Sequence, residues 1–243
     1  MENDQTRREF LTAAGVTIAA GAVGYAQAAG PGAAGAEPAG AAADKPMPKP
    51  ADTVRIIAVS CSPHKGKSTA TSLQVALDAA KEAGPRVTVE LVELAGLTID
   101  GALAVGLPLV PGQKDDFPAV AAKLTDPAVR GIIIGTPVYF SGMSYLCKAF
   151  LDRWMAFRKD FALTDKVAGV LACGGSRNGG QETTIRSVQD ALFCHDMIVV
   201  GAGRPTSRFG AVVWAKGDDK DSAANARNLG LRVAKVALAL AGK

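Results

Sequence analysis

The sequence has no C-x-x-C pair and no other close group of thiols; Cys61, Cys147, Cys173 and Cys194 are scattered along it. Metal or iron–sulfur ligation by clustered thiolates is therefore disfavoured, and the cysteines read as small buried apolar residues. Aromatics are few, at 5% of 243 residues, and there is no internal repeat. Charge of one sign is also lacking: the formal balance is only +4, and lysines and arginines are spread out. That pattern excludes a nucleic-acid-binding stripe and fits an ordinary solvated surface. What is abundant is alanine and glycine, which suit tightly packed helices and strands, in a length with room for one α/β domain plus extra segments.

The N-terminus reads as a leader. Paired Arg7 and Arg8 precede an uncharged, alanine-rich run from Phe10 to Tyr25, and Ala26-Gln27-Ala28 follows as an A-x-A cleavage pattern. Residues 1–28 thus have the form of a twin-arginine export signal, which predicts an exported, periplasmic protein. The run is short and Gly/Ala-rich for a membrane span, and no cysteine follows it, so no stable membrane or lipid anchor is expected. The twin-arginine route carries folded proteins, which commonly means a cofactor inserted before export. Residues 29–52 are rich in Pro, Gly and Ala and read as a disordered linker. The folded domain is expected over 53–243.

From residue 53 the pattern alternates. Strands are predicted over 53–60, 87–94, 131–135, 166–173 and 197–201. Helices are predicted over 68–83, 116–125, 142–158, 181–194 and 219–241, with 95–115 a long loop broken by Gly and Pro. The continuous apolar run of 131–135 suits a strand buried on both faces. The expected fold is α/β: a doubly wound, five-stranded parallel sheet with helices on both faces. Ligands of such sheets bind beyond the carboxyl ends of the strands. Loops 60–69, 136–144 and 174–181 lie there and should converge on one site.

Residues 60–69, SCSPHKGKST, end like a Walker A loop, G-x-x-x-x-G-K-[ST], but Cys61 occupies the place of the first Gly. A nucleoside triphosphatase also needs a carboxylate near Mg²⁺. The buried strands run out in GTPVYF, ACGGS and VVGAG, with no Asp or Glu. A triphosphate site is therefore disfavoured. An anion at a helix N-terminus remains, with hydroxyls from Ser60, Ser62, Ser68 and Thr69 and charge from Lys65 and Lys67. His64 is read either as a solvated loop residue or as a phosphate contact.

The second loop places Tyr139 and Phe140 after Pro137 and Val138, with Ser141 and Gly142 following. The third, GGSRNGGQ, supplies Gly174, Gly175 and Gly180, whose bare backbone can approach a flat ring. A phosphate cradle, an aromatic wall and close backbone donors suit a flat heterocycle carrying one phosphate, such as FMN. Core packing is the competing reading for Tyr139 and Phe140. Arg153 and Asp152 read as a surface or interhelix ion pair, Trp154 as packing or a dimer contact, and His195 as structural. Arg177 is read as meeting either an anionic donor or only solvent.

These segments carry a resemblance. SPHKGKSTA resembles the S-P-R-x-x-G-N-T phosphate loop of flavodoxin-like NAD(P)H-dependent FMN reductases. TPVYFSGMSYLCKAFLDR resembles their P-V-Y…S…L-K…F-L-D-R segment, and GGSRNGGQETT with MIVVG their run from fourth to fifth strand. The likeness extends over residues 53–240 and includes iron–sulfur flavoproteins and quinone-reductase-like members. His64, Lys67 and Ser68 depart from the family's Arg, Gly and Asn but keep donors and charge. The resemblance implies FMN phosphate on Ser62, Lys65, Ser68 and Thr69. It places the ring against Pro137, Val138, Tyr139 and Phe140, with Gly174, Gly175 and Gly180 nearby. Iron–sulfur relatives carry a cysteine cluster after the second strand, whereas 95–115 here has no cysteine, so a flavin-only chain is expected. The resemblance further implies NAD(P)H as a possible donor, a small-molecule acceptor such as a quinone or flavin, and a homodimer or homotetramer. Outside the cytoplasmic membrane the donor would have to differ, for example a quinol or a redox partner protein. The alternative is a flavodoxin-type electron carrier without a substrate of its own, which the mildly basic composition disfavours.

Overall fold

The computed structural model describes residues 53–206, 208–215 and 220–242. The leader and linker readings of residues 1–52 fall outside them, and β1 begins at Val54.

The strands are β1 (Val54–Ser60), β2 (Val87–Glu93), β3 (Val129–Tyr139), β4 (Gly142–Met143), β5 (Val167–Gly174), β6 (Ile198–Val199) and β7 (Ala211–Trp214). The helices are α1 (Ser68–Lys81), α2 (Phe117–Thr125), α3 (Tyr145–Asp152), α4 (Met155–Arg158), α5 (Gln181–Phe193) and α6 (Lys220–Leu240). The sheet runs β2-β1-β3-β5-β6, all parallel, which is the flavodoxin order with its switch between β1 and β3.

Both faces of the sheet are covered, as the unbroken apolar strands require. Ile57, Val59, Ile132, Ile134 and Val170 face one core with α2, α3, α4 and α5. Ile56, Ala58, Ile133 and Leu171 face the other with α1 and α6. The first core holds the aromatics: Phe150 and Phe157 pack edge-on against Trp154, and His195 lies 5.4 Å from the same indole. Trp154 is wholly buried, so packing is its role. The second core, among the described residues, is aliphatic and rich in alanine. Its helices approach so closely that a Cβ on Gly230 would lie 1.8 Å from the Ala76 carbonyl oxygen.

Three expectations are corrected. The helix expected over 142–158 is broken. Gly142 and Met143 pair back antiparallel on Val138 and Tyr139, Ser144 caps α3, and α4 follows separately. The fifth strand, expected over 197–201, shrinks to Ile198–Val199 beside the first half of β5. A strand absent from the sequence reading, β7, takes the second half, pairing Leu171 to Gly174 with Ala211 to Trp214. The fifth position is thus shared by two short strands, and β7 carries Trp214 to the carboxyl edge. Third, the buried strand continues past Gly135 to Tyr139, so the aromatic pair begins inside β3 rather than in a loop. The long loop 95–115 also contains a 3₁₀ turn, Gly101–Val105.

Candidate functional site

The loops after β1, β3 and β5 do converge. Ser144 joins the first two: its hydroxyl donates to the Cys61 carbonyl at 2.7 Å and accepts the Cys147 N–H at 3.0 Å. The Thr136 hydroxyl accepts the Ser144 N–H at 3.1 Å and donates to the Pro137 carbonyl at 3.0 Å. The second and third loops meet at Gly180, which has φ +94°; a Cβ there would lie 2.7 Å from Ser141 Cα. Only glycine fits such a position.

In the first loop, α1 starts without a side-chain cap: its N-cap is Lys67, whose ammonium has no acceptor for a backbone N–H. The N–H groups of the first turn therefore depend on an external acceptor. Ser60 is buried, and its hydroxyl has no hydrogen-bond partner. An unmet buried hydroxyl costs free energy, and a phosphate oxygen is one group that would satisfy it. The Ser62 hydroxyl accepts the His64 N–H at 3.1 Å and shapes the turn. His64, Lys65 and Lys67 are exposed around it, and Ser68 is half-buried.

Two features here were missed in the sequence. Glu93, the last residue of β2, accepts the Gly66 N–H at 2.7 Å, so that donor is already engaged. The pairing of Ser60 with Glu93 across β1 and β2 brings it there. Thr69 is buried with its hydroxyl against the Cys173 thiol, which burial pushes up to about 11 although the Thr69 bond pulls the other way. Thr69 thus ties α1 to β5 with its side chain and faces the loop with its backbone. Cys61 and Cys147 are neighbours, both fully buried; burial first, then hydrogen bonding and charge between them, hold the Cys61 thiol well above its ordinary range. Three of the four thiols are buried as expected, and Cys194 is exposed.

In the second loop, Pro137 and Val138 are half-buried, Tyr139 is 42% exposed and Phe140 is fully exposed. Core packing is excluded for Phe140. It and Ser141 have φ of 50° and 60°, the geometry of a two-residue hairpin turn, adopted here without glycine. Gly142 is half-buried in the returning strand. In the third loop, Gly174 is buried, while a Cβ on Gly175 would meet nothing within 4 Å. That opening leaves space for a flat group against the main chain. Two further residues hold this loop and were not foreseen. The buried Gln181 accepts the Gly179 N–H at 2.8 Å and donates to the Ser176 carbonyl. The Trp214 indole N–H donates to the Gly175 carbonyl at 3.1 Å, and the Arg177 guanidinium lies 4.9 Å from the indole centroid.

Arg153 does not pair with Asp152. It binds Asp115 through two bonds of 2.9 and 2.7 Å and lies 4.5 Å from the Phe117 ring centroid, while Asp152 pairs with Lys148. The Arg153 bonds hold the Asp115 carboxyl below its usual range and pin the end of the 95–115 loop. His195 is buried, and burial, with Arg158 adjacent, lowers its imidazole; it lies with Trp154, away from the three loops.

Residues 54–210 match the family of NADPH-dependent FMN reductases. The chain belongs to this family. It is an FMN-dependent NAD(P)H oxidoreductase of flavodoxin-like fold. An iron–sulfur flavoprotein of Methanocaldococcus jannaschii is 37% identical over 191 residues, covering 75% of this chain and 97% of that protein. An NAD(P)H dehydrogenase (quinone) of Paracoccus denitrificans is 36% identical over 185 residues, covering 66% of this chain and 84% of its own length. In fold the chain is similar to a WrbA-like flavodoxin protein of Agrobacterium tumefaciens, with TM-score 0.56 and 22% identity over 76% of this chain and 98% of the other. The residues fit the cofactor: an uncapped helix start with an orphaned buried hydroxyl for the phosphate, and an open glycine backbone opposite an aromatic strand end for the ring.

Proposed function

We propose that the chain holds FMN across the three loops and passes electrons from NAD(P)H, or a donor such as a quinol, to quinones, flavins or similar acceptors. The observation that carries the site is the unsatisfied Ser60 hydroxyl, buried beside the uncapped start of α1. In this reading Ser60, Ser62 and Ser68 bind the phosphate with the backbone of Thr69. Lys65 and Lys67 offset its charge, and His64 borders it. Pro137, Val138, Tyr139 and Phe140 wall the ring on one side, with Gly142 closing the turn. Gly174, Gly175 and Gly180 let the opposite backbone come close. Bound FMN supplies the hydride and electron chemistry, so no side chain of this chain is needed as an acid or base. The quinone acceptor is supported by the name of the Paracoccus relative. The likeness to iron–sulfur flavoproteins does not bring a cluster with it in this proposal, since 95–115 has no cysteine.

The proposal includes export by the twin-arginine route, supported by Arg7, Arg8 and the A-x-A pattern. It includes a homodimer or homotetramer, supported by the exposed apolar residues Val105, Leu107, Val110, Phe140 and Tyr145 on loops and a helix start at the carboxyl end of the sheet. The functional test is protein purified from residue 53 onward, examined for a yellow flavin spectrum and for NAD(P)H oxidation with a quinone present. Bound FMN with acceptor-dependent turnover is expected. FMN bound without turnover would instead support the electron-carrier reading. Export is tested by Arg7→Lys with Arg8→Lys, which should strand the precursor inside the cell; normal export would refute the leader.

A further inference from the structure

The 174–180 loop has almost no side chains with which to hold itself. Bonds from residues outside it fix its shape. Ala215 N–H donates to the Gly174 carbonyl at 2.8 Å, continuing β7 past its end. Trp214 Nε1–H donates to the Gly175 carbonyl. Gln181 Nε2 donates to the Ser176 carbonyl and, at 3.5 Å, to that of Val213, while its Oε1 accepts the Gly179 N–H. Gln181 also packs on the strand end, since a Cβ on Gly174 would lie 2.4 Å from its Nε2. Trp214 is in turn fixed by α6: its own N–H donates to the Ser222 hydroxyl at 2.9 Å.

Peptide planarity turns these bonds into a direction. A trans peptide points its N–H opposite to its carbonyl. Pinning the Gly175 carbonyl to Trp214 therefore turns the Ser176 N–H away from the indole. Pinning the Ser176 carbonyl to Gln181 does the same for the Arg177 N–H. Two consecutive N–H dipoles are oriented by side chains that are themselves held elsewhere. Such fixed dipoles beside a redox ring favour negative charge on it and cost no reorganisation.

We propose that Trp214 and Gln181 form a clamp that orients the backbone of this loop toward the flavin ring, and that Trp214 thereby sets the cofactor's midpoint potential. The inference rests on the FMN reading of the site. Trp214 lies on β7, beyond the segment 54–210 that matches the family, so this chain's own C-terminal portion completes the site. Trp214 is a positioning residue: it acts through Gly175 rather than on substrate.

Trp214→Phe tests this, because it keeps an aromatic ring while removing the N–H donor. In FMN-free protein, amide hydrogen exchange at 175–180 should quicken while exchange in β1 and β3 stays unchanged. In the FMN-loaded protein, the midpoint potential should move to a more negative value. The FMN dissociation constant should rise about two- to tenfold, the effect of one hydrogen bond. Gln181→Met, which keeps side-chain length, should quicken exchange at 176–179 by the same logic. Exchange and potential both at wild-type values in Trp214→Phe would overturn the clamp. A wild-type protein that takes up no FMN would overturn the flavin reading instead, and the exchange measurement on FMN-free protein would still judge the clamp.

Discussion

The two sides of the proposed site, one for the phosphate and one for the ring, are built by opposite means. The phosphate side is made of buried side chains: Ser60 at the end of β1, Ser62 in the loop after it, Thr69 on α1, Thr136 on β3 and Ser144 at the start of α3. The ring side is mostly backbone: a turn with two positive-φ residues and a loop of glycines held by Gln181 and Trp214. An anion needs fixed donors, which buried serines and a helix start provide. A flat ring needs approach without obstruction, and the main chain of glycine gives that.

If this contrast is right, substitutions on the two sides should fail differently. The largest effect is expected at Gly180, where the ring side has no slack. Gly180→Ala meets both a positive φ and the Ser141 backbone, and should cost about 2 kcal/mol or more of stability. Gly175→Ala, in open space, should leave the melting temperature unchanged and weaken FMN binding alone. Equal melting temperatures for the two variants would contradict the packing described. Ser144→Ala should come next, at about 1–3 kcal/mol. It removes the α3 cap and strands the buried Cys61 carbonyl together, and denaturant midpoints would show it.

Ser60→Ala should be smaller and change sign with the ligand. Without FMN it removes an unsatisfied hydroxyl, so stability should stay level or rise slightly; with FMN, affinity should fall by about 1 kcal/mol. Destabilisation of the FMN-free protein would show that the hydroxyl has a structural partner. A control lies outside both sides. Lys166 is buried at the start of the sheet, donating to the carbonyls of Asp126 and Val129 at 3.0 and 2.6 Å. Burial, with Arg130 adjacent, lowers its ammonium from 10.5 to about 8. Folded-state pKa lies below the unfolded one, so the folded state favours the neutral form. Stability should rise as pH goes from 8 to 10.5, relative to a flatter Lys166→Met. Parallel profiles for the two proteins would remove that assignment.

The comparison also explains what could be read in advance. The local structure of the proposed phosphate side was largely legible, because a buried β-branched run, a polar loop and a helix start are consecutive in sequence. Its exceptions were Glu93 and the orientation of Thr69, each decided by a neighbouring strand. The ring side was legible in its glycines and aromatics and illegible in its supports. Gln181 and Trp214 act on a loop they approach from α5 and β7. The strand carrying Trp214 is only four residues long, and its pairing with β5 is a tertiary choice. The expected helix 142–158 failed for a related reason: Gly142-Met143 gains two cross-strand partners on β3 that helix propensity does not register.

The most direct test of the account is a titration of the FMN-free protein, from residue 53 onward, with FMN and with riboflavin, followed by flavin fluorescence. The phosphate is the only difference between the two ligands. A site anchored by the start of α1 and Ser60 should bind FMN at least about a hundredfold more tightly, matching two or more charge-assisted hydrogen bonds. Equal affinities, or no binding of either, would contradict it.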